Sequence, residues 1–140
     1  MVKKKGQTVV FEQVLIFSIS VAIFIAAFTL FSMYQNQYMS ITTRDHLAGV
    51  KEYVMSNIID LVKKEGFNSS VTLKIPRTVS NRLYLIDLSN NGLYVRMNGE
   101  EAYEFSSLGA LNETFTFGGQ VSSDLGVIVI YKKGDKILLM

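Results

Sequence analysis

An uncharged run between Glu12 and Arg44 constrains this chain more than any other feature of its sequence. Within residues 14–32 the polar side chains are hydroxyls that can bond their own helix: Ser18, Ser20, Thr29 and Ser32. An α-helix rises about 1.5 Å per residue, so about 20 residues cross the ~30 Å hydrocarbon core of a bilayer. The stretch Gln13 to Met33 is long enough to cross once, and we predict a transmembrane helix.

Charged residues flank this run unequally, and their distribution predicts an orientation. Lysines occupy positions 3–5 before the run, whereas the first ionisable residues after it are Arg44 and Asp45. Positive residues stay on the cytoplasmic side of a membrane, so we expect the N-terminus in the cytoplasm. No later run is long enough to cross again. We therefore expect a single-pass protein of the cell membrane with residues 40–140 outside.

A cleaved secretory signal peptide is an alternative interpretation of the same segment. Such a peptide has a basic start and a short apolar stretch before small residues at the cleavage site, and Ala26 and Ala27 are small. The apolar run continues past them through Phe28, Leu30 and Phe31. An uncleaved helix is therefore favoured.

The residues before the apolar run form a second pattern. Lysines at 3–5 are followed by Gly6 and Gln7, and Glu12 stands near the start of the uncharged helix. This arrangement resembles the class III signal peptides of type IV pilin-like proteins, in the archaeal variant where glutamine begins the mature chain. The resemblance implies that a prepilin-type signal peptidase removes residues 1–6 on the cytoplasmic side, between Gly6 and Gln7, and leaves the apolar helix on the mature protein.

Glu12 has two interpretations. The resemblance implies that this carboxylate neutralises the N-terminal amine of a neighbouring subunit when helices pack into a filament core. A cut after Gly6 makes Glu12 the sixth mature residue, one position later than the glutamate of the family. The residues alone also allow Glu12 to lie at headgroup depth, where a carboxylate near a helix N-terminus interacts favourably with the helix dipole.

A second helical pattern follows the membrane segment at residues 40–66. Its apolar residues recur every three or four positions: Leu47, Val50, Val54, Ile58 and Leu61. Its charges lie mostly elsewhere: Lys51, Glu52, Asp60, Lys63 and Lys64. We expect an amphipathic helix that ends near Glu65, before Gly66. No proline interrupts residues 13–65, although Thr42 and Thr43 are a candidate break; we favour one long helix, with residues 7–39 in the membrane.

The period of hydrophobicity changes to two in residues 67–140. Seven short strands are predicted: Val71–Ile75, Arg82–Leu88, Leu93–Met97, Ala102–Phe105, Thr114–Phe117, Val127–Tyr131 and Ile137–Met140. Tight-turn residues at 89–92, 98–99 and 133–135 favour antiparallel pairing of neighbouring strands. The predicted class is α+β: a long N-terminal helix, half transmembrane and half amphipathic, packed on a C-terminal antiparallel sheet. This arrangement again resembles pilin-like proteins.

The sequence contains little that suggests chemistry. His46 is the only histidine, and the neighbouring Asp45 points elsewhere on a helix, so we interpret His46 as solvated. The chain has no cysteine, and its net charge of +2 comes without a basic stripe interleaved with aromatic residues. We therefore expect no enzyme, cofactor, nucleic-acid partner or small-molecule substrate.

Two short segments resemble ligand-binding loops but lack the residues that such loops need. Glu100, Glu101 and Glu104 lack the spaced oxygen ligands of a calcium loop, so a solvated acidic turn is expected. Residues 118–120, Gly-Gly-Gln, lack the lysine and hydroxyl residue of a phosphate loop and are interpreted as a flexible turn.

Glycosylation sequons begin at Asn68 and Asn112, in the part expected outside the cell.

The function predicted is a structural pilin-like subunit of an archaeal cell-surface filament or of its assembly machinery. Its partners would be membrane lipid, the prepilin-type signal peptidase, and copies of itself or related pilin-like subunits. The alternative is a single-pass anchor that displays an extracellular β interaction domain without polymerising.

Overall fold

The computed structural model describes residues 3–66, 68–99 and 103–140 of the chain. The chain divides into two compact units, Met1–Ser40 and Ile41–Met140. One helix, α1, spans Lys3–Lys63. It continues through positions 42 and 43, which confirms the expectation of one long helix, and it ends close to the predicted position.

The first unit exposes apolar side chains all around the helix. From Thr8 to Ser40 every side chain is exposed except the half-buried Ser32. The hydroxyls of Ser18, Ser20 and Thr29 donate to the carbonyl oxygens four residues earlier, each at 2.8 Å. These bonds satisfy the polar groups within the helix, as the sequence predicts. The helix is long and apolar enough to cross a membrane, and none of its apolar segment is buried within the protein.

The second unit joins the end of α1 to a β-sheet. The seven strands are β1 (Asn68–Lys74), β2 (Tyr84–Ser89), β3 (Gly92–Met97), β4 (Tyr103–Ser106), β5 (Thr116–Ser122), β6 (Val127–Lys133) and β7 (Lys136–Leu139). Their order in the sheet is β1-β6-β7-β5-β2-β3-β4. Short 3₁₀ helices at Gly109–Glu113 and Ser123–Leu125 flank β5. A helix packed on a mostly antiparallel sheet is the predicted α+β class, consistent with a pilin-like fold.

The predicted hairpins form where the turn residues indicated them. β2 pairs antiparallel with β3, β3 with β4, and β6 with β7. β5 departs from this pattern, because it pairs in parallel with β7 and antiparallel with β2. The prediction that neighbouring strands pair as antiparallel meanders is therefore wrong at β5, and also at β1, which pairs antiparallel with β6 rather than with β2. Periodicity assigns the faces of a strand, but not its partners.

The interpretation of residues 118–120 as a flexible turn is also wrong, because they lie inside β5. Gly118 ends the parallel pairing with β7, and Gly119 begins the antiparallel pairing with β2. Gly119 has a φ of +123°, and a Cβ built there would lie 2.2 Å from the carbonyl oxygen of Leu139. Gly119 thus allows one strand to serve two partners at a close backbone approach.

The core lies between α1 and one face of the sheet. α1 buries the predicted stripe together with Met55: Leu47, Val50, Val54, Met55, Ile58 and Leu61. The sheet buries alternate residues of its central strands against that stripe: Tyr84, Ile86 and Leu88 in β2, Leu93, Val95 and Met97 in β3, Ile128 and Ile130 in β6, and Ile137 and Leu139 in β7. The prediction that Ile58 is buried in the core is confirmed.

Candidate functional site

The predicted processing residues lie in the first turns of α1. Because the helix begins at Lys3, the backbone of Gly6 and Gln7 is helical and the bond between them lies inside the helix. Glu12 follows on the same helix, and its side chain is exposed. No ion pair within the described residues involves Glu12, and its helical neighbours four positions away are Thr8 and Ile16. Its carboxylate therefore projects from a part of the helix, residues 8–40, whose other side chains carry no charge.

Both sequon asparagines are exposed in the second unit. Asn68 is the first residue of β1, and Asn112 lies in the 3₁₀ helix before β5. The side-chain amide of each is therefore open to solvent, and the use of either as an acceptor stays a prediction.

Glu104 forms an ion-pair cluster with α1. Its Oε1 lies 2.8 Å from Nε of Arg44, and its Oε2 lies 3.4 Å from Nζ of Lys51. The side chains of Glu104 and Lys51 are only 14% and 13% exposed. The interpretation of Glu104 as part of a solvated turn is therefore wrong, and Lys51 lies on the sheet side of α1 rather than among the solvent-facing charges. Glu100 and Glu101 lie outside the described residues.

The cluster makes the second unit sensitive to acid. The hydrogen bond from Arg44, together with Lys51, lowers the pKa of Glu104 below its ordinary value of 4.5 against the opposing effect of burial. A lowered pKa in the folded state gives stability that is present above pH 4.5 and is lost as the pH falls through the folded pKa. At neutral pH we expect the free energy of unfolding of wild type to exceed that of Glu104→Gln by about 1 kcal/mol. This difference should vanish at low pH, where Glu104 is protonated.

Urea unfolding of both forms across this pH range measures that difference. Asp60→Asn, which removes an exposed carboxylate from the same unit, serves as the control and should show no comparable loss. If the free energies of unfolding of wild type and Glu104→Gln differ by the same amount at every pH, the pKa of Glu104 is not lowered in the folded state.

Lys132 caps the end of α1 from the sheet. It is buried on β6, and its Nζ donates to the carbonyl oxygens of Lys64 at 2.9 Å and Val62 at 3.3 Å. The ammonium also lies 5.5 Å from the ring centroid of Phe115. A cation at a helix C-terminus satisfies carbonyls that have no partner in the helix. Sequence reasoning missed this contact, although a lysine at an inward-facing strand position was its signal.

The described residues contain no group of three or more histidine, cysteine, aspartate or glutamate side chains that could hold a metal ion. His46 is exposed on α1.

Comparisons with known proteins were made by family model, by curated sequence and by solved structure. None of them finds a match.

Proposed function

We propose that the chain is a structural pilin-like subunit of an archaeal cell-surface filament or of its assembly machinery. In this proposal α1 anchors the protein in the membrane with the N-terminus in the cytoplasm and the second unit outside. The observation that carries the proposal is one uninterrupted helix with two different environments. Its first part exposes apolar side chains on every face, and its last part forms the core of a sheet domain.

An apolar surface of this kind needs a partner, and lipid and neighbouring helices can both provide one. The buried hydrophobic residues lie between Leu47 and Leu139, so the core of the second unit does not depend on the surroundings of residues 8–40. The helix can therefore move from lipid into a bundle of identical helices while the core stays intact. This property supports a subunit that is stored in the membrane and later assembled.

Glu12 fits the same proposal. A carboxylate within an apolar bundle is costly unless an opposite charge reaches it, and no basic residue lies between Gln7 and Thr43 once residues 1–6 are removed. The new amine created by cleavage before Gln7 on a neighbouring subunit would supply that charge.

Processing is the first test. Expressed with a prepilin-type peptidase, the mature wild-type chain should begin at Gln7, as read by N-terminal sequencing and intact mass. Gly6→Val should retain residues 1–6, because the peptidase needs a residue without a side chain before the cut. Gly49→Val, at a helical position where an added Cβ meets nothing within 4 Å, should be processed normally. A wild-type chain that keeps its leader would favour the non-polymerising anchor, which the independent core of the second unit also supports.

Assembly is the second test, because it separates a filament role for Glu12 from a headgroup position. Glu12→Gln should leave insertion and processing unchanged but lower the yield of sheared surface filament relative to the membrane pool. Ser20→Ala is the control, because the Ser20 hydroxyl is satisfied by the carbonyl of Ile16 within its own helix. Abundant filament from both variants would refute the role given to Glu12.

A further inference from the structure

Two loops meet at the end of the second unit where α1 enters it. The first loop joins β1 to β2, and its tight turn at Ser80 and Asn81 has φ values of +49° and +62°. The hydroxyl of Ser80 is hydrogen-bonded to the hydroxyl of Thr43, two residues after the unit begins at Ile41. The first loop is therefore held beside the entry point of the helix.

The second loop joins β5 to β6 and is tied to the first by hydrogen bonds. The buried hydroxyl of Ser123 donates to the carbonyl oxygen of Arg77 at 2.6 Å. The backbone N–H of Ile75 donates to the carbonyl oxygen of Gly126 at 3.0 Å. The two loops thus form one fixed surface beside the helix entry.

Side chains on this surface combine exposed leucine with arginine. Leu125 is 70% exposed, the highest value for a large apolar side chain in the described part of the second unit, and Leu83 is 40% exposed. Arg77 and Arg82 are exposed in the first loop. Asp124 is the acidic residue of the second loop, and its Oδ1 accepts a hydrogen bond from the backbone N–H of Leu125. We name Arg77, Arg82, Leu83 and Leu125 the entry face.

The opposite end of the sheet has a different surface. The turns that join β2 to β3 and β6 to β7 carry the exposed polar residues Asn90, Asn91 and Asp135. Neither turn exposes a large apolar side chain among its described residues. Exposed leucines in loops therefore distinguish the end at which the helix enters.

Chain length keeps the entry face close to the membrane if α1 is its anchor. Tyr38, an exposed aromatic residue at the level expected for headgroups, precedes Thr43 by five residues. Five residues span about 8 Å in a helix and at most about 18 Å when fully extended. The headgroup region of one leaflet is itself about 5–8 Å thick. The first loop, which is bonded to Thr43, and the second loop, which is tied to the first, are thus within reach of the lipid surface.

We propose that the entry face docks on the outer lipid surface of the membrane. Leu83 and Leu125 enter the headgroup layer, and Arg77 and Arg82 bind lipid phosphates, which the guanidinium group matches in charge and geometry. This inference rests on the proposed membrane anchorage of α1. It adds a second lipid contact that holds the sheet domain against the membrane until the subunit is withdrawn.

Depth measurements on the full chain in vesicles test this docking. Because the sequence has no cysteine, a single introduced cysteine carries a fluorophore at one known position. The probe is placed in turn at Leu125→Cys on the entry face, Asp135→Cys at the opposite end, and Phe24→Cys in the apolar segment. Vesicles contain phosphatidylcholine with phosphatidylglycerol, and the quencher is a nitroxide on either the headgroup or the acyl chain.

We expect the headgroup nitroxide to quench the probe at position 125 several-fold more than the probe at position 135. Adding Arg77→Gln and Arg82→Gln should bring position 125 close to the level of position 135, and high salt should act in the same direction. Near-UV circular dichroism of the tyrosines checks that each variant is folded. If positions 125 and 135 are quenched equally while acyl-chain nitroxide quenches the Phe24→Cys probe, α1 is inserted but the entry face does not dock. That result overturns the docking and leaves the anchorage standing.

Two other outcomes also overturn the inference. A Phe24→Cys probe that acyl-chain nitroxide does not quench shows that α1 is not inserted, and both the anchorage and the docking fail. In the second outcome, the fluorescence of the probe at position 125 changes with the protein-to-lipid ratio and not with the lipid quencher. That result would show that the entry face contacts a second copy of the chain.

Discussion

Replacing Ile58 with aspartate is expected to lower the free energy of unfolding of the second unit by about 5 kcal/mol or more. Ile58 is fully buried between α1 and the sheet. The substitution removes a well-packed side chain and places a carboxylate where the surrounding core is apolar. A loss of this size is comparable with the total stability of many domains, so the sheet domain should be largely unfolded.

Ser56→Asp is the matched control, because Ser56 is an exposed residue of the same helix two positions earlier. It introduces the same charge at the surface and should change the stability by no more than about 0.5 kcal/mol. Urea unfolding of the full chain in detergent, followed by the near-UV circular dichroism of the tyrosines, measures both variants. The same midpoint for the two would mean that the buried face of α1 is assigned wrongly.

Gly119→Ala is expected to destabilise the second unit by about 3 kcal/mol or more. The new Cβ would lie 2.2 Å from the carbonyl oxygen and 2.8 Å from the backbone nitrogen of Leu139. Backbone atoms cannot rotate away as a flexible side chain can, so β7 must shift. The φ of +123° at Gly119 adds strain that alanine cannot relieve in place.

The adjacent Gly118→Ala provides a sharp comparison. A Cβ at Gly118 would have Leu138 Cδ2 as its nearest neighbour at 3.8 Å, an ordinary contact. Gly118→Ala should therefore stay close to wild type in urea unfolding. In hydrogen exchange, only Gly119→Ala should lose protection in β5 and β7. Equal stability of the two variants would contradict the close backbone approach at Gly119.

Local patterns in the sequence predicted much of the fold. The stripe from Leu47 to Leu61 follows from helical periodicity, and alternation in the strands follows from a period of two. The turn at Asn98 and Gly99 and the turn around Gly134 follow from the turn types that need positive φ. Each of these signals involves residues that are close together in the chain.

The contacts that sequence reasoning missed join residues that are far apart in the chain. Glu104 is 60 residues from Arg44, and Lys132 is 68 residues from Lys64. The parallel pairing of β5 with β7 likewise joins strands that are not consecutive in the chain. No local pattern specifies such partners, because hydrophobic periodicity gives a face rather than a neighbour.

The candidate functional residues also divide into those that a local sequence motif identifies and those that only the fold brings together. Gly6, Gln7 and Glu12 were identified from a short motif, and the structure adds only that they belong to one helix. The entry face has no motif, because Arg77 and Leu125 come from loops that the pairing of β1 with β6 and of β2 with β5 brings together.

Three contacts determine how the sheet domain would respond to a pull along α1. Thr43 is bonded to Ser80, Lys51 to Glu104, and the carbonyl oxygen of Lys64 to Lys132. They lie at successive levels along the buried part of the helix, so axial tension would shear them together rather than peel them one after another. Drawing the helix out would also drag its buried stripe across the sheet. A domain held in this way can transmit an axial load from its own helix to its strands.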